Sequence, residues 1–298
     1  YSQADVEKFT AGGSELYPDN NWYGMFVRPV AFMSRAGVSV RGGNGKLSYY
    51  TNVNYLHQTS VFRTVKEEGS KYDPQPNSNW FNFRSNVDVK FNKYLGGFIR
   101  LAGNIKNDKT TGYGNSDIYS HIFTLPPTIY GPLTPSGEDY ENGGQVVTHE
   151  DENYPVYGML NRSGYIKNLS INITAQAGLD VDFGFLTKGL KLSGLMAYQT
   201  STFNQTTTVR DFERYIRTKD MNGLYFVKLG STNNTPLSYG KVSTMDYNLN
   251  LSGNLSYNRT FGDHSVNAMA YIFYSSQDLQ KSPLPYKRAS MGAVSYTH

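Results

Sequence analysis

The chain has 298 residues, with 28 Lys and Arg against 24 Asp and Glu; this small surplus forms no basic cluster with interleaved aromatics, which argues against a nucleic-acid binder. It has no cysteine, which excludes a disulfide framework, a thiolate metal site and a thiol nucleophile. No run of 18 or more apolar residues occurs, which excludes a transmembrane helix but not a barrel, whose strands are apolar on one face only.

The first thirty residues are irregular. Ser2 with Asp5 reads as a helix start and predicts a short helix over Gln3–Phe9, ended by Gly12-Gly13. Tyr17-Pro18-Asp19-Asn20 predicts a turn. The opening YSQADVEKF has neither the basic start nor the apolar core of a signal peptide. An exported protein of this sequence is therefore expected to have lost its leader, or to be a piece of something longer.

From Met33 the pattern becomes rhythmic. A strand over Met33–Arg41 sets Ala36, Val38 and Val40 on one face, and Gly42-Gly43-Asn44-Gly45 predicts a tight hairpin turn. This run has a faint phosphate-loop look, but Val40 stands where the first glycine belongs and Leu47 where the hydroxyl belongs. The return strand carries Leu47, Tyr49, Thr51, Val53 and Tyr55 on one face, and a long polar connection is expected over His57–Asn79. Next, Phe83, Val87, Val89 and Phe91 alternate with Arg84, Asn86, Asp88 and Lys90. A short turn at Lys93–Gly96 follows. Beyond it, Ile99, Leu101 and Ile105 oppose Phe98, Arg100, Asn104 and Lys106.

The longest connection, roughly Lys109–Lys167, leads to LSINITAQAGLDVDF, Leu169–Phe183. Here Leu169, Ile171, Ile173, Ala175, Ala177, Leu179, Val181 and Phe183 alternate strictly with polar residues and one glycine. Successive side chains on a strand point to opposite faces, so this is a strand between two different solvents. At roughly 3.3 Å per residue it would extend on the order of 50 Å, whereas ordinary strands stop after about 5–6 residues. Tilted by about 45°, it still exceeds the ~25 Å apolar band of an outer-membrane barrel.

A short turn over Gly184–Thr187 precedes Leu190, Leu192 and Met196, on a strand reaching about Phe203. A second long segment covers Asn204–Gly240. Then Tyr247, Leu249, Leu251, Leu255 and Tyr257 face away from Asn248, Asn250, Ser252, Asn254, Ser256 and Asn258. After the Thr260–Asp263 turn, Val266, Ala268, Ala270, Ile272 and Tyr274 share a face, and a last strand starts at Tyr286. Short turns and long loops alternate along the chain, as in transmembrane barrels. Aromatics gather near strand ends, as at Tyr55, Tyr94, Phe183 and Tyr257; interfacial girdles would put them there, and so would the general preference of strands for aromatics. The polar faces are expected to line a lumen with Arg84, Asn86, Asp88, Asn172, Asp180, Asp182, Asn248 and Asn250.

Residues with the look of chemistry are few. His57, His121, His149, His264 and His298 show no i, i+4 metal spacing. His149-Glu150-Asp151-Glu152 offers carboxylates of the kind calcium favours, but reads better as a solvated acidic loop. No nucleophile motif is present, and no metal or cofactor is expected. Trp80, Tyr113, Tyr130 and Tyr140 are the aromatic candidates for contact with a bound molecule, within or beside the long connections.

Several segments together resemble SusC-like TonB-dependent transporters of the Bacteroidota outer membrane. Tyr17-Pro18-Asp19-Asn20-Asn21-Trp22-Tyr23 is similar to that family's YP-x-T-D-W-Y segment. Val38-Ser39-Val40-Arg41-Gly42-Gly43, with Leu47-Ser48-Tyr49-Tyr50 and Asn54-Tyr55-Leu56-His57-Gln58, resembles its SVSGG hairpin. Asn82-Phe83-Arg84-Ser85-Asn86-Val87-Asp88 resembles its N-x-R-x-N-x-D strand, and Thr187-Lys188-Gly189-Leu190-Lys191-Leu192 its KGL-x-L turn; Leu284-Pro285-Tyr286 fits a later strand start. Arg41 before the glycine pair and Thr59-Ser60 after Gln58 depart from the pattern.

The resemblance implies an all-β chain: an antiparallel transmembrane β-barrel segment, about nine strands of a ~22-stranded barrel, with short periplasmic turns and long extracellular loops. Residues 1–30 would be an extracellular irregular segment and residues 31–298 barrel strands and loops, with the plug domain and the other strands outside this chain. It implies import of an oligosaccharide or peptide, not catalysis. The implied partners are a SusD-like lipoprotein, TonB acting through the missing N-terminal part, and outer-membrane lipid. A small outer-membrane enzyme (a protease or phospholipase) and a surface adhesive β protein are the rival expectations.

Overall fold

The alternation becomes a single nine-stranded sheet in the computed structural model, which describes residues 2–12, 14–136, 143–218, 223–280, 282 and 284–297. In chain order the elements begin α1 (Gln3–Ala11), α2 (Trp22–Phe26), β1 (Met33–Gly43), β2 (Leu47–Thr59), β3 (Asn77–Lys90), β4 (Leu95–Thr111), α3 (Asn115–Thr124), β5 (Val146–Val147) and α4 (Val156–Asn161). They continue β6 (Gly164–Asp182), β7 (Leu190–Val209), β8 (Arg214–Arg217), β9 (Phe226–Lys228), β10 (Ser238–Phe261), β11 (His264–Asp278) and β12 (Tyr286–Thr297). The large sheet has the order β1-β2-β3-β4-β6-β7-β10-β11-β12, and every neighbouring pair is antiparallel. A small second sheet joins β5, β8 and β9.

Turn chemistry fixes the register at one end. In the β1–β2 turn, Asn44 Oδ1 accepts from the Lys46 and Leu47 amides at 2.8 and 2.9 Å; Asn92 Oδ1 does the same for Tyr94 and Leu95 between β3 and β4. The β10–β11 turn needs only residues 262–263, because Gly262 adopts φ +58°. All the longest connections, 60–76, 112–163 and 210–237, leave from the opposite end.

One face of the sheet is apolar and open. Ile99, Leu179 and Met291 on it are 63%, 55% and 81% exposed, so nothing among the described residues covers this apolar surface. Large exposed apolar patches are rare on soluble proteins and normal on a lipid-facing barrel wall. Aromatic rings lie over glycines on the neighbouring strand, Phe83 opposite Gly103 and Phe98 opposite Gly178, where a Cβ would overlap the ring. No helix among the described residues is long and apolar enough to cross a membrane.

The buried core lies in the connections, not in the sheet. Trp22, Phe26 and Val27 pack with Phe62, Ile118, Ile122, Leu125, Val156, Met159 and Leu160. Here the structure differs from the sequence reading in two ways. The connections expected to be irregular are folded into a cap of short helices and the small sheet. The strands also run further than predicted: β4 to Thr111, β7 to Val209, and β10 from Ser238. Beyond an apolar solvent both strand faces are polar, so the alternation that reveals a strand fades while its backbone pairing continues. The N-terminal helix is also longer than expected; it carries a complete capping box between Ser2 and Asp5 and ends on Gly12 at φ +63°.

Candidate functional site

Directly paired residues on antiparallel strands share a face. The register therefore decides which side chains form one wall. Arg84 pairs with Ala102, which pairs with Thr174, and onward through Gln199 to Asn248. Asn86 reaches Asn250 in the same way through Arg100, Gln176 and Ala197. Asp88 pairs with Phe98, Asn172 with Asn104, and Asp180 with Gly96, all in the same parity. Asp182 faces Lys191 across the β6–β7 pair, with the carboxylate 3.9 Å from the ammonium group. All eight residues expected on the polar wall share one face.

On that face a row of neutral amides lies below the Lys106–Asp108 ion pair, which closes to 2.6 Å near the long-connection end. Asn54, Asn82, Asn104 and Asn172 are consecutive partners on β2, β3, β4 and β6, and Asn104 Nδ2 donates to Asn82 Oδ1. Below this ladder, Arg84, Asn86, Asp88, Arg100 and Gln176 line a shallow cavity of roughly 370 Å³. Arg100 stands 4.0 Å from Asp88, with both side chains about half exposed, so this pair contributes little stability. The wall thus offers many exchangeable donors and acceptors and few fixed ion pairs.

The cap closes over the long-connection end. Its inner seam is polar: Arg162 Nε donates to Glu67 Oε1 at 2.8 Å, and Arg162 Nη2 to the Gly144 carbonyl at 2.6 Å. The Tyr157 hydroxyl donates to the same Glu67 oxygen at 3.2 Å. Burial, reinforced by the Glu67 charge, pushes the Tyr157 hydroxyl up to about 12. Asn161 Oδ1 accepts from the Val65 amide, and the Asn161 carbonyl accepts from the Tyr72 hydroxyl. Gly164 takes φ +93° where α4 turns into β6, and a Cβ there would meet the Thr208 carbonyl.

Three of the four proposed contact aromatics are among the described residues, each in a different setting. Trp80 lies in β3, not in a loop, and shares the polar face: it pairs with Leu56 and Lys106. Its ring is held by its own Nε1–H donating to Ser78 Oγ and by Lys106 Nζ at 4.8 Å from the ring centroid. Tyr113 packs edge-on against Tyr154 at 5.8 Å and leans on the cap core. Tyr130 packs against Phe226 at 5.1 Å and lines a cleft of about 580 Å³ between α1 and β8. Tyr140 lies outside the described residues.

Two histidines, His121 and His149, lie in the cap. His121 Nδ1 lies 2.8 Å from Glu152 Oε2, and the Tyr154 amide donates to Glu152 Oε1. His149 sits 3.6 Å from Asp151 on the surface. Among the described residues no serine hydroxyl bonds to either imidazole. The cap core itself went unpredicted, although a signal was there. Ile118 and Ile122 stand at i, i+4, and Val156, Met159 and Leu160 at i, i+3, i+4, the spacing of an amphipathic turn.

Comparison with known proteins agrees with this geometry. No protein-family model matches the chain. A protein of Formosa agariphila named TonB-dependent receptor is 31% identical over 133 residues, which is 44% of this chain and 11% of that protein. The solved structure of the RagAB peptide transporter superposes on all of this chain, and on 35% of its own, with a TM-score of 0.56 at 15% identity. The RagAB peptide importer in its closed-closed and open-open states gives TM-scores of 0.55 and 0.54 over 30% of its chain, at 16% and 15% identity. This chain therefore spans about a tenth of the curated relative and about a third of the solved ones. The resemblance to SusC-like TonB-dependent transporters holds in sequence and in fold, and the nine strands are an antiparallel transmembrane β-barrel segment.

Proposed function

We propose that the protein to which this chain belongs imports a nutrient across a Gram-negative outer membrane, driven through TonB. The observation that carries the reading is the sheet itself: nine strands, apolar on one face and amide-rich on the other, with every longest connection at one end. That end is extracellular and the polar face lines the lumen. The rest of the barrel, the plug and the TonB-contacting segment belong to other parts of the protein. A SusD-like lipoprotein closes over the cap, captures an oligosaccharide or a peptide, and releases it into the lumen.

The polar wall suits passage more than capture. Each hydrogen bond to a neutral amide contributes about 0.5–1.5 kcal/mol net, so a ligand exchanges partners along Asn54, Asn82, Asn104 and Asn172 without being trapped by one of them. Trp80 adds an aromatic surface at the extracellular end of the same wall. No bond is made or broken, and the role is non-enzymatic.

Uptake of labelled oligosaccharides and peptides by cells expressing the full-length protein tests this reading. Accumulation of one ligand class that collapses with the proton-motive force is expected, together with co-purification of a lipoprotein from native membranes. Accumulation unaffected by an uncoupler, or no uptake of either class, refutes it. Surface binding without uptake favours adhesion.

A further inference from the structure

We infer that the outward face of the sheet binds the phosphate of an outer-leaflet glycolipid through Lys109, Lys167 and Lys241. The inference rests on the barrel reading, which makes the apolar face the lipid face, but it adds a site that transport does not require. The register orders that face in rows. Phe81, Ile105 and Ile171 form one row near the top of the apolar band. Asn79, Asn107, Leu169, Asn204 and Ser243 form the next. Asn77, Lys109, Lys167, Thr206 and Lys241 form the one above. Two rows are four residues, roughly 13 Å along the strand and about 9–10 Å in height at a barrel tilt. The headgroup layer is about 5–8 Å deep on each side of the hydrocarbon, so a long lysine side chain at that height reaches down into it.

The arrangement of charge is what asks for an anion. Lys109 and Lys167 are direct cross-strand partners, a placement in which like charges repel. Yet both ammonium groups gather over one ring: Nζ lies 5.8 Å (Lys109) and 5.2 Å (Lys167) from the Tyr165 centroid. Tyr165 is held from the cap side by Tyr72, at 5.6 Å between centroids. Lys241 stands two strands from Lys167, roughly 10 Å away, with Thr206 between them. Asp73 acts on Lys109 and offsets one of the three charges; the rows named above contain no Asp or Glu. A phosphate seated between the first two lysines would convert their repulsion into two charge-assisted contacts. Because the face below the site is continuous with lipid, the fitting source is a phosphorylated glycolipid headgroup, with acyl chains lying along Ile105 and Ile171.

Native mass spectrometry of the full-length protein in detergent, given phosphorylated or dephosphorylated lipid A, tests this. Preference for the phosphorylated lipid by about tenfold or more is expected, and K109Q/K167Q/K241Q should lose that preference. Equal binding of the two lipids overturns the inference, as does a folded triple variant that behaves like wild type. Displacement of the lipid by millimolar inorganic phosphate also overturns it, because the site would then be one for free anions. Should the triple variant fail to fold, the two-lipid comparison on the wild-type protein decides alone. Cellular uptake separates the two readings. Lipid preference without proton-motive uptake sinks only the transport proposal, and uptake without lipid preference sinks only this one.

Discussion

Leu160→Ala separates the cap from the barrel wall. Leu160 is fully buried, at 0% exposure, in the cluster with Trp22, Phe62, Ile118 and Met159. Removing its side chain costs about 2–5 kcal/mol, depending on how far the cavity collapses. The sheet has no share in that core: its apolar face is open and its strands are joined by backbone pairing. The loss therefore falls on cap opening, where each 1.4 kcal/mol is about tenfold. Hydrogen exchange on the full-length protein should show protection falling by about 30-fold to several thousandfold in residues 115–124 and 156–161. Protection in the middle of β6 and β7 should stay within about threefold of wild type. A uniform fall through cap and strands would refute the claim that the cap is a separate cooperative unit. So would no change in the cap.

Three further outcomes follow from the geometry. Gly103→Val forces a Cβ into the Phe83 ring and should destabilise the barrel by about 1–3 kcal/mol in a urea titration, with the loss largely recovered when Phe83→Ala is added; an additive double variant would count against ring overlap as the cause. Tyr157 holds its proton to about 12 in the folded cap, against about 10 when unfolded, so its contribution to cap stability is full below pH 10 and is lost as pH rises to about 12. The ultraviolet difference spectrum of wild type minus Tyr157→Phe should show one phenolate titrating near the upper value; titration near 10 would mean the hydroxyl is solvated. The segment has no native cysteine, so single cysteines along β6 map its faces in native membranes. Those at 172, 180 and 182 should react with a water-soluble maleimide and those at 171, 173 and 181 should resist it; a reversed pattern would put the polar face outside.

What the sequence makes legible is what two solvents impose on it. The strict alternation of Leu169–Phe183 reports lipid on one side and water on the other, and the pairing of β6 with β4 and β7 keeps that parity throughout. Where the second solvent ends, so does the signal. Lys109, Lys167 and Thr206 look like loop residues because both faces of their strands are polar, yet the ladder runs on beneath them. The start of β3 is hidden for the same reason: the connection expected over His57–Asn79 takes in Asn77, Ser78 and Asn79, which the ladder pairs. The cap failed to register because its core is assembled from single short turns. Ile118 and Ile122 come from one connection end and Val156, Met159 and Leu160 from the other, so each window of the sequence shows only a single turn of the helical period.

The cap contacts also constrain the order of assembly. The sheet pairs each strand with the next in its order, across connections no longer than 112–163. The cap, by contrast, joins Trp22 to the Pro126 carbonyl across 104 residues and Arg217 to the Leu16 carbonyl across 201. Loops of that length are entropically costly to close from a free chain and cheap once intervening strands hold their ends near each other. The cap can therefore zip shut only behind the growing wall, after β7 has been laid against β6. Its closure works as a checkpoint: a surface that a partner could recognise exists only on a barrel whose strands are already in register.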